Sequence, residues 1–363
     1  MDKIILSNIS KSYSGIPAVR NLTLDIREGV FLTLLGPSGC GKTTTLRMIA
    51  GLEDADTGEI IVGDQTFFSL AKGLYVPPEK RDLGFIFQSY ALWPHMTVRK
   101  NISLGLEEKK VTKDKIEITV KNALKKVQLD GLEDRYPSEL SGGQQQRVAV
   151  ARMVASEPQI FLMDEPLSNL DAMLRIGMRA ELKHLHHELG ATTVYVTHDQ
   201  NEALTLSDRI VVMEAGILRQ IGTPEEIYKK STDLFVARFV GSPQINILEG
   251  RTELNNSEQF FISGSIKKKI SIDSKYLDKD LKVTIRPEEI KIKSEKDTNW
   301  LECTTYSVLP AGSETIITVK KDDMDLTLKV NGFADFKVDD KVWIDFSAEQ
   351  MNYYDPETEK LIF

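Results

Sequence analysis

Cysteine is scarce. Cys40 and Cys303 are the only two in 363 residues, too few for a disulfide framework, so a reducing compartment is the simpler expectation. Long apolar runs are missing too; the longest reach about half a membrane span, and no transmembrane helix is expected. The start, Met1-Asp2-Lys3-Ile4-Ile5, has an early acid and no extended apolar stretch, so no secretory leader is expected. Positive charge is not in excess: 46 Lys and Arg against 54 Asp and Glu leave a net charge of −8, which speaks against broad electrostatic binding to nucleic acid. Low-complexity tracts and strong internal repeats are likewise lacking. What is there, 41% hydrophobic and 28% charged residues, is ordinary for a globular protein. The length allows two or three domains, each able to bury a core without staples. The expectation is a soluble, cytosolic, mildly acidic protein of more than one domain.

Apolar segments then punctuate the chain. Ile4–Leu6 and Leu22–Ile26 read as strands. Phe31–Leu35 is a continuous apolar strand that runs into Gly36 and a glycine-rich turn, after which Thr44–Ala50 reads as a helix. Leu83–Phe87, Ile160–Met163 and Thr193–Thr197 are further buried-type strands, ending at Gln88, Asp164 and His198. Strand, loop and helix in alternation point to a parallel α/β sheet, whose carboxyl edge is where such sheets bind ligands. Between Tyr90 and Ala155 the pattern turns helical, with Ile116, Val120, Leu124 and Val127 at helix spacing. This reads as a helical insertion, about residues 89–155. A further helix is expected over Ala172–Leu189.

Beyond Val240 the character changes. Gly241-Ser242-Pro243 interrupts the chain, and short strand-like stretches follow at Phe260–Ile262, Leu281–Ile285, Thr315–Val319, Leu326–Val330 and Val342–Phe346. They suggest a small β-barrel or sandwich over 241–363, separate from an α/β domain over 1–240.

Gly36-Pro37-Ser38-Gly39-Cys40-Gly41-Lys42-Thr43 fits G-x-x-x-x-G-K-[ST] in full. Its glycines let backbone N–H groups close around phosphate oxygens, and the helix that follows aims its positive end at the same anion. Lys42 neutralises phosphate charge in such a loop, and the Thr43 hydroxyl binds Mg²⁺. Asp164 and Glu165 end an apolar strand; beside a phosphate loop, the first suits Mg²⁺ and the second suits a general base acting on water. Leu140-Ser141-Gly142-Gly143-Gln144 makes a second helix N-terminus fit for an anion. Two phosphate sites on one chain are redundant unless they meet across a dimer.

Together these segments resemble the nucleotide-binding subunit of an ATP-binding cassette (ABC) transporter. The resemblance identifies 36–43 as the Walker A motif, 140–144 with Gln145-Gln146-Arg147 as the signature, 160–165 as Walker B and Ser168-Asn169-Leu170-Asp171 as the D-loop. Gln88 stands at the Q-loop, His198 at the H-loop and Tyr13 where an aromatic ring stacks on adenine. These elements run in family order ahead of residue 240. Tyr90–Val98 is similar to the segment by which importer ATPases meet their membrane subunits. The tail resembles the TOBE or regulatory β-domain of maltose-, polyamine- and ferric-iron-type importers, with Arg286-Pro287-Glu288 matching a recurrent motif. Phe239–Asn246 resembles the junction of carbohydrate importers.

The resemblance implies a P-loop ATPase core with a helical subdomain, followed by an OB- or TOBE-like β-domain. It implies an ATPase that energises import of a small solute. Carbohydrate is the first expectation; ferric iron, polyamine or another small solute, or a non-transport ABC ATPase, are the alternatives. Two copies are expected to pair head to tail. Each ATP then lies between Tyr13, Gly36–Thr43 and Thr44 of one copy and Ser141–Gln144 and Asp171 of the other. Thr43, Gln88 and Asp164 organise Mg²⁺; Glu165 and His198, with Gln88 and Lys42, carry catalysis. Two transmembrane permease subunits and, through them, a solute-binding protein are the implied partners, with the subunit peripheral on the cytoplasmic face of the membrane. The tail can bind a regulator or enlarge the dimer interface.

Other features have plainer readings. His184, His186 and His187 suggest a solvated histidine-rich helix face, with His184 and His187 at metal-ligand spacing but no completing ligands. Cys40 is either a reactive thiol near Lys42 or a passive small residue, and Cys303 an inert strand residue. The lysines from Lys109 to Lys126 form a solvated face, and Lys267–Lys269 a turn or strand edge.

Overall fold

The computed structural model describes residues 2–362 and falls into two compact units, Met1–Pro224 and Glu225–Phe363.

In the first unit, β1 (Asp2–Tyr13) and β2 (Ile16–Arg27) form a long antiparallel pair, followed by β3 (Phe31–Leu35) and α1 (Lys42–Ala50). β4 (Thr57–Val62), β5 (Gln65–Ser69) and β6 (Leu74–Tyr75) extend the first pair into an antiparallel sheet of order β2-β1-β4-β5-β6. β7 (Gly84–Ile86) leads to three helices, α2 (Val98–Glu108), α3 (Lys113–Lys126) and α4 (Gly142–Ala155). Then come β8 (Ile160–Asp164), α5 (Ala172–Leu189), β9 (Thr192–Thr197), α6 (Gln200–Leu206), β10 (Arg209–Glu214) and β11 (Ile217–Gly222). The second sheet has the order β11-β10-β3-β9-β8-β7. Its strands are parallel except for β11, an antiparallel edge.

The parallel strands are buried on both faces, which is why they read as unbroken apolar runs. Leu32, Leu34, Leu162, Val194 and Val196 face a core shared with the antiparallel sheet and with Leu46 and Ile49 of α1. Their neighbours Phe31, Phe161, Met163 and Tyr195 face the opposite way, into a core shared with α2–α5. The strand before Gln88 is shorter than expected. It stops at Ile86 because Tyr90 N–H donates to Phe87 O (2.8 Å), turning the chain around Gln88.

His186 corrects the reading of a solvated histidine face. It lies on the inner stripe of α5 with Met178, Leu182 and Leu185. Its ring stands edge-on to Phe31, and Nδ1 is 3.0 Å from Thr193 Oγ1. His184 and His187, on the same helix, are exposed as expected. The lysines of 109–126 are exposed as expected.

The second unit opens with α7 (Pro224–Lys229) and α8 (Leu234–Phe239). The strands β12 (Asn246–Asn255), β13 (Glu258–Ser263), β14 (Ile266–Ile270), β15 (Asp280–Ile285), β16 (Lys291–Lys293), β17 (Leu301–Pro310), β18 (Glu314–Lys321), β19 (Met324–Asn331), β20 (Lys341–Asp345) and β21 (Asn352–Tyr354) follow. They make two five-stranded antiparallel sheets, β14-β13-β12-β15-β21 and β16-β20-β17-β18-β19. Phe261, Leu281 and Val283 of one and Ile317, Leu328 and Val342 of the other share one core. Asn246 stitches the sheets: its amide donates to Thr327 O and accepts from Thr327 N–H, both at 2.7 Å. Lys267–Lys269 fall on β14, an edge strand. Arg286 is buried and donates to the carbonyls of Tyr228, Ala237 and Val240 while stacking 4.1 Å from the Tyr228 ring centroid. Gly241, at φ 116°, admits that guanidinium, because a Cβ there would fall 2.6 Å from Arg286 Nη1.

Candidate functional site

The loop between β3 and α1 is shaped by its glycines. A Cβ on Gly36 would sit 2.3 Å from Met213 O, and one on Gly41 would sit 2.3 Å from Ala18 O. Gly39 and Gly41 are left-handed, at φ 78° and 100°, a backbone open to glycine at little cost. Lys42 begins α1 and is 5% exposed. Its ammonium donates to Gly36 O (2.8 Å) and Pro37 O (2.9 Å) and lies 3.6 Å from Cys40 Sγ. Among the described residues, no carboxylate comes within ion-pair distance of it. A buried cation without a counter-charge calls for an anion, and the loop and helix end around it supply N–H groups to receive one. Cys40 is buried, and burial raises its thiol pKa against the lowering influence of Lys42. The passive reading of that cysteine is therefore favoured.

Around this loop the sheet delivers side chains from distant parts of the chain. Thr43 Oγ1 donates to Asp164 Oδ1 at 2.8 Å. Burial raises the Asp164 pKa, opposed by the Thr43 hydrogen bond and by Arg47, whose Nη2 lies 3.8 Å from Oδ2. Glu165 follows at φ 45°, a left-handed backbone rare for such a residue. Its N–H donates to Val196 O (3.0 Å), and Oε1 stands 3.1 Å from His198 Nδ1. Gln88 Nε2 donates to Glu165 Oε2 at 3.3 Å. Lys42, Thr43, Gln88, Asp164, Glu165 and His198 thus converge. A hydroxyl, a carboxylate and a carboxamide oxygen are the hard donors that suit Mg²⁺. Tyr13 is exposed, with Lys11 Nζ 5.5 Å from its ring centroid.

The remaining expected residues lie elsewhere. Ser141 caps α4: its Oγ accepts from Gln144 N–H (3.3 Å), and its own N–H donates to Gln144 Oε1 (2.9 Å). Asp171 caps α5 by accepting from Leu174 N–H at 2.9 Å. Among the described residues, no hydrogen bond joins 140–144 to 36–43. Ser141 and Gly142 are exposed, as are Met173 and Ile176 just beyond Asp171.

Several supporting residues escaped the sequence reading. Glu202, 3% exposed, accepts from Tyr195 Oη (2.8 Å) and Thr197 Oγ1 (2.7 Å), and Thr197 Oγ1 accepts in turn from Asp199 N–H (3.0 Å). Burial raises the Glu202 pKa. The turn that presents His198 is held from beneath in this way. Arg175 donates to Leu170 O (2.9 Å) and Ser168 O (3.0 Å), fixing the loop before α5. Asn169, already named in the D-loop, donates from Nδ2 to Gln88 O at 2.9 Å. Asn101, fully buried, accepts from Trp93 N–H (2.7 Å) and donates to the carbonyls of Trp93, Met96 and Thr97, leaving the Trp93 ring exposed. Arg152 donates to Tyr90 O and Ala91 O, each at 2.7 Å, and carries a sequence signal as a lone arginine within the otherwise apolar Val148–Ala155.

A phosphate loop beside a carboxylate pair on a parallel sheet defines a P-loop nucleotide-binding protein. Comparison with known proteins narrows this. A family model described as ABC transporter matches residues 19–168, and one described as TOBE domain matches 283–352. The chain is 41% identical to the trehalose/maltose import ATP-binding protein MalK of Thermococcus litoralis, over 100% of both chains. It is 46% identical to the spermidine/putrescine import ATP-binding protein PotA of Clostridium novyi, over 88% of this chain and 89% of that one. The solved ATP-binding cassette MJ0796, a dimer bound to ADP and Pi, superimposes with a TM-score of 0.54 at 33% identity, covering 61% of this chain and 98% of that one. The chain belongs to the ABC transporter family, as an ATP-hydrolysing subunit. Among the described residues, no helix is long and apolar enough to cross a membrane.

Proposed function

We propose that this subunit drives import of a carbohydrate by closing and reopening a head-to-tail homodimer around two ATP molecules. The observation that carries the cassette chemistry is the buried, uncompensated Lys42 ammonium inside a glycine-shaped loop, next to Thr43, Asp164 and Glu165. The Gly36–Thr43 loop, with Thr44, receives the phosphates, and Tyr13 stacks on adenine. Thr43, Asp164 and Gln88 hold Mg²⁺. When bound, that ion neutralises charge on the phosphate oxygens. Glu165 accepts the proton of the attacking water as its oxygen bonds to the γ-phosphorus and the bond to the β-phosphate oxygen breaks, releasing ADP. His198, braced on Glu165 and held from below by Thr197 and Glu202, orients that water.

Ser141–Gln144 and Asp171 of a second copy complete each site. The exposed helix start at Ser141 and the exposed Met173 and Ile176 support a partner on that face. ATP bound between two surfaces favours the closed dimer by its differential affinity, and hydrolysis removes that preference. The exposed Trp93 ring, in the segment fixed by Asn101, supports a contact with two permease subunits, and with it a position at the cytoplasmic side of the membrane.

The full-length match to a trehalose/maltose import protein, tail included, supports a carbohydrate as the solute. The similarity to a spermidine/putrescine import protein supports a second reading, a polyamine. ATPase stimulation in liposomes, with the neighbouring membrane subunits and a panel of loaded binding proteins, tests this. Stimulation by a sugar-loaded binding protein is expected. Stimulation by polyamine or iron alone would keep the mechanism and overturn the carbohydrate reading.

A further inference from the structure

The segment that leaves Gln88 has an uncommon backbone. Tyr90 and Ala91 are both left-handed, at φ 63° and 46°. L-residues visit this region singly and at a cost, and two in succession persist only where the surroundings impose them. Tyr90 is packed in the core, and one side chain holds both carbonyls of the pair. Arg152, near the end of α4, donates from Nη2 to Tyr90 O and from Nη1 to Ala91 O, each at 2.7 Å. The rigid fork of a guanidinium can meet two successive carbonyls at once; an ammonium is a single point. Among the described residues, no carboxylate forms an ion pair with Arg152, so its hydrogen bonds go to this backbone.

Upstream, Tyr90 N–H closes on Phe87 O, so the turn carrying Gln88 begins at Phe87 and ends at the clamped residues. Asn169 holds Gln88 O from the other side. The Gln88 side chain, aimed at Glu165, is therefore set by two anchors: Asn169 directly, and Arg152 through Tyr90 and Ala91.

We propose that Arg152 is a positioning residue for Gln88. It imposes the left-handed pair at 90–91 and so keeps the Gln88 carboxamide in the catalytic cluster. The proposal rests on the role given to Gln88 above.

The test is a double-mutant cycle in the full chain, reading ATP affinity, kcat and melting temperature. Arg152→Ala is expected to lower kcat about 10- to 100-fold, the scale of a small misplacement, while ATP affinity stays within about two-fold. Arg152→Lys should remain well below wild type, since it cannot span both carbonyls. In a Gln88→Ala background, Arg152→Ala should cost almost nothing further, because the two act as one unit. Adding Ala91→Gly to Arg152→Ala should recover part of the loss, since glycine takes the left-handed conformation freely. A purely stabilising arginine would not be rescued by a more flexible residue. Additive losses of Arg152→Ala and Gln88→Ala, or no rescue by Ala91→Gly, would overturn the proposal while leaving the role of Gln88 intact. An unchanged kcat in Gln88→Ala alone would instead remove the role of Gln88, and the proposal with it.

Discussion

His198 Nδ1 stands 3.1 Å from Glu165 Oε1, and the two residues leave the ends of adjacent parallel strands, β9 and β8. The backbone repeats the link, since Glu165 N–H donates to Val196 O. The proposed base and its proposed orienting partner are thus set by sheet register, which is stiffer than a loop. The left-handed Glu165 backbone is the local cost of aiming its carboxylate at the cluster.

The phosphate loop gives a contrast between glycines. Gly41→Ala places a methyl 2.3 Å from Ala18 O at φ 100°, and we expect a stability loss of about 2–4 kcal/mol with loss of ATP binding. Gly177→Ala, within α5 and with nothing within 4 Å of its Cβ, should stabilise by about 0.5–1 kcal/mol. Thermal melting and nucleotide binding of the two variants check this.

His186 makes stability depend on pH. Burial holds its pKa below the ordinary 6.5; Asp208 opposes this, and Lys183 and His187 reinforce it. The unfolded chain therefore takes up a proton first as pH falls. This contribution to stability is complete above the unfolded value of 6.5 and declines as pH drops through the folded pKa. Melting temperatures should fall on acidification from neutral pH, and His186→Asn should flatten that part of the profile.

The start of the second unit gives a further expectation. Leu234, Val236 and Ala237 of α8 are each 0% exposed, and Leu234 and Ala237 cluster with Ile245 and Tyr354 of the second unit. A chain cut after Pro224 should be monodisperse and melt cooperatively. One cut after Val240 uncovers these side chains and should aggregate. Light scattering of both truncations decides the matter.

Much of this was legible in the sequence because strands buried on both faces need continuous apolar residues and a phosphate loop needs its glycines. The helix over Ala172–Leu189 also matches its expectation. The rest depends on tertiary packing. β4, β5 and β6 carry short mixed patterns that only pairing makes regular, β4 with β1, β5 with β4 and β6 with β5. Glu202 in the first turn of α6 looks like any acid at a helix start, and nothing in the sequence says that Tyr195 and Thr197 lie over it. His186 looks solvated until β3 brings Phe31 against it.

The central claim is a dimer closed by ATP and opened by Glu165-dependent hydrolysis. Glu165→Gln tests it most directly, with mass by light scattering and turnover measured in the same sample. The variant should bind ATP, lose about 100-fold or more of its kcat, and run as a dimer with Mg²⁺ and ATP but as a monomer without nucleotide. Robust hydrolysis would remove Glu165 from the base role, and a monomer at saturating ATP would contradict the closed dimer.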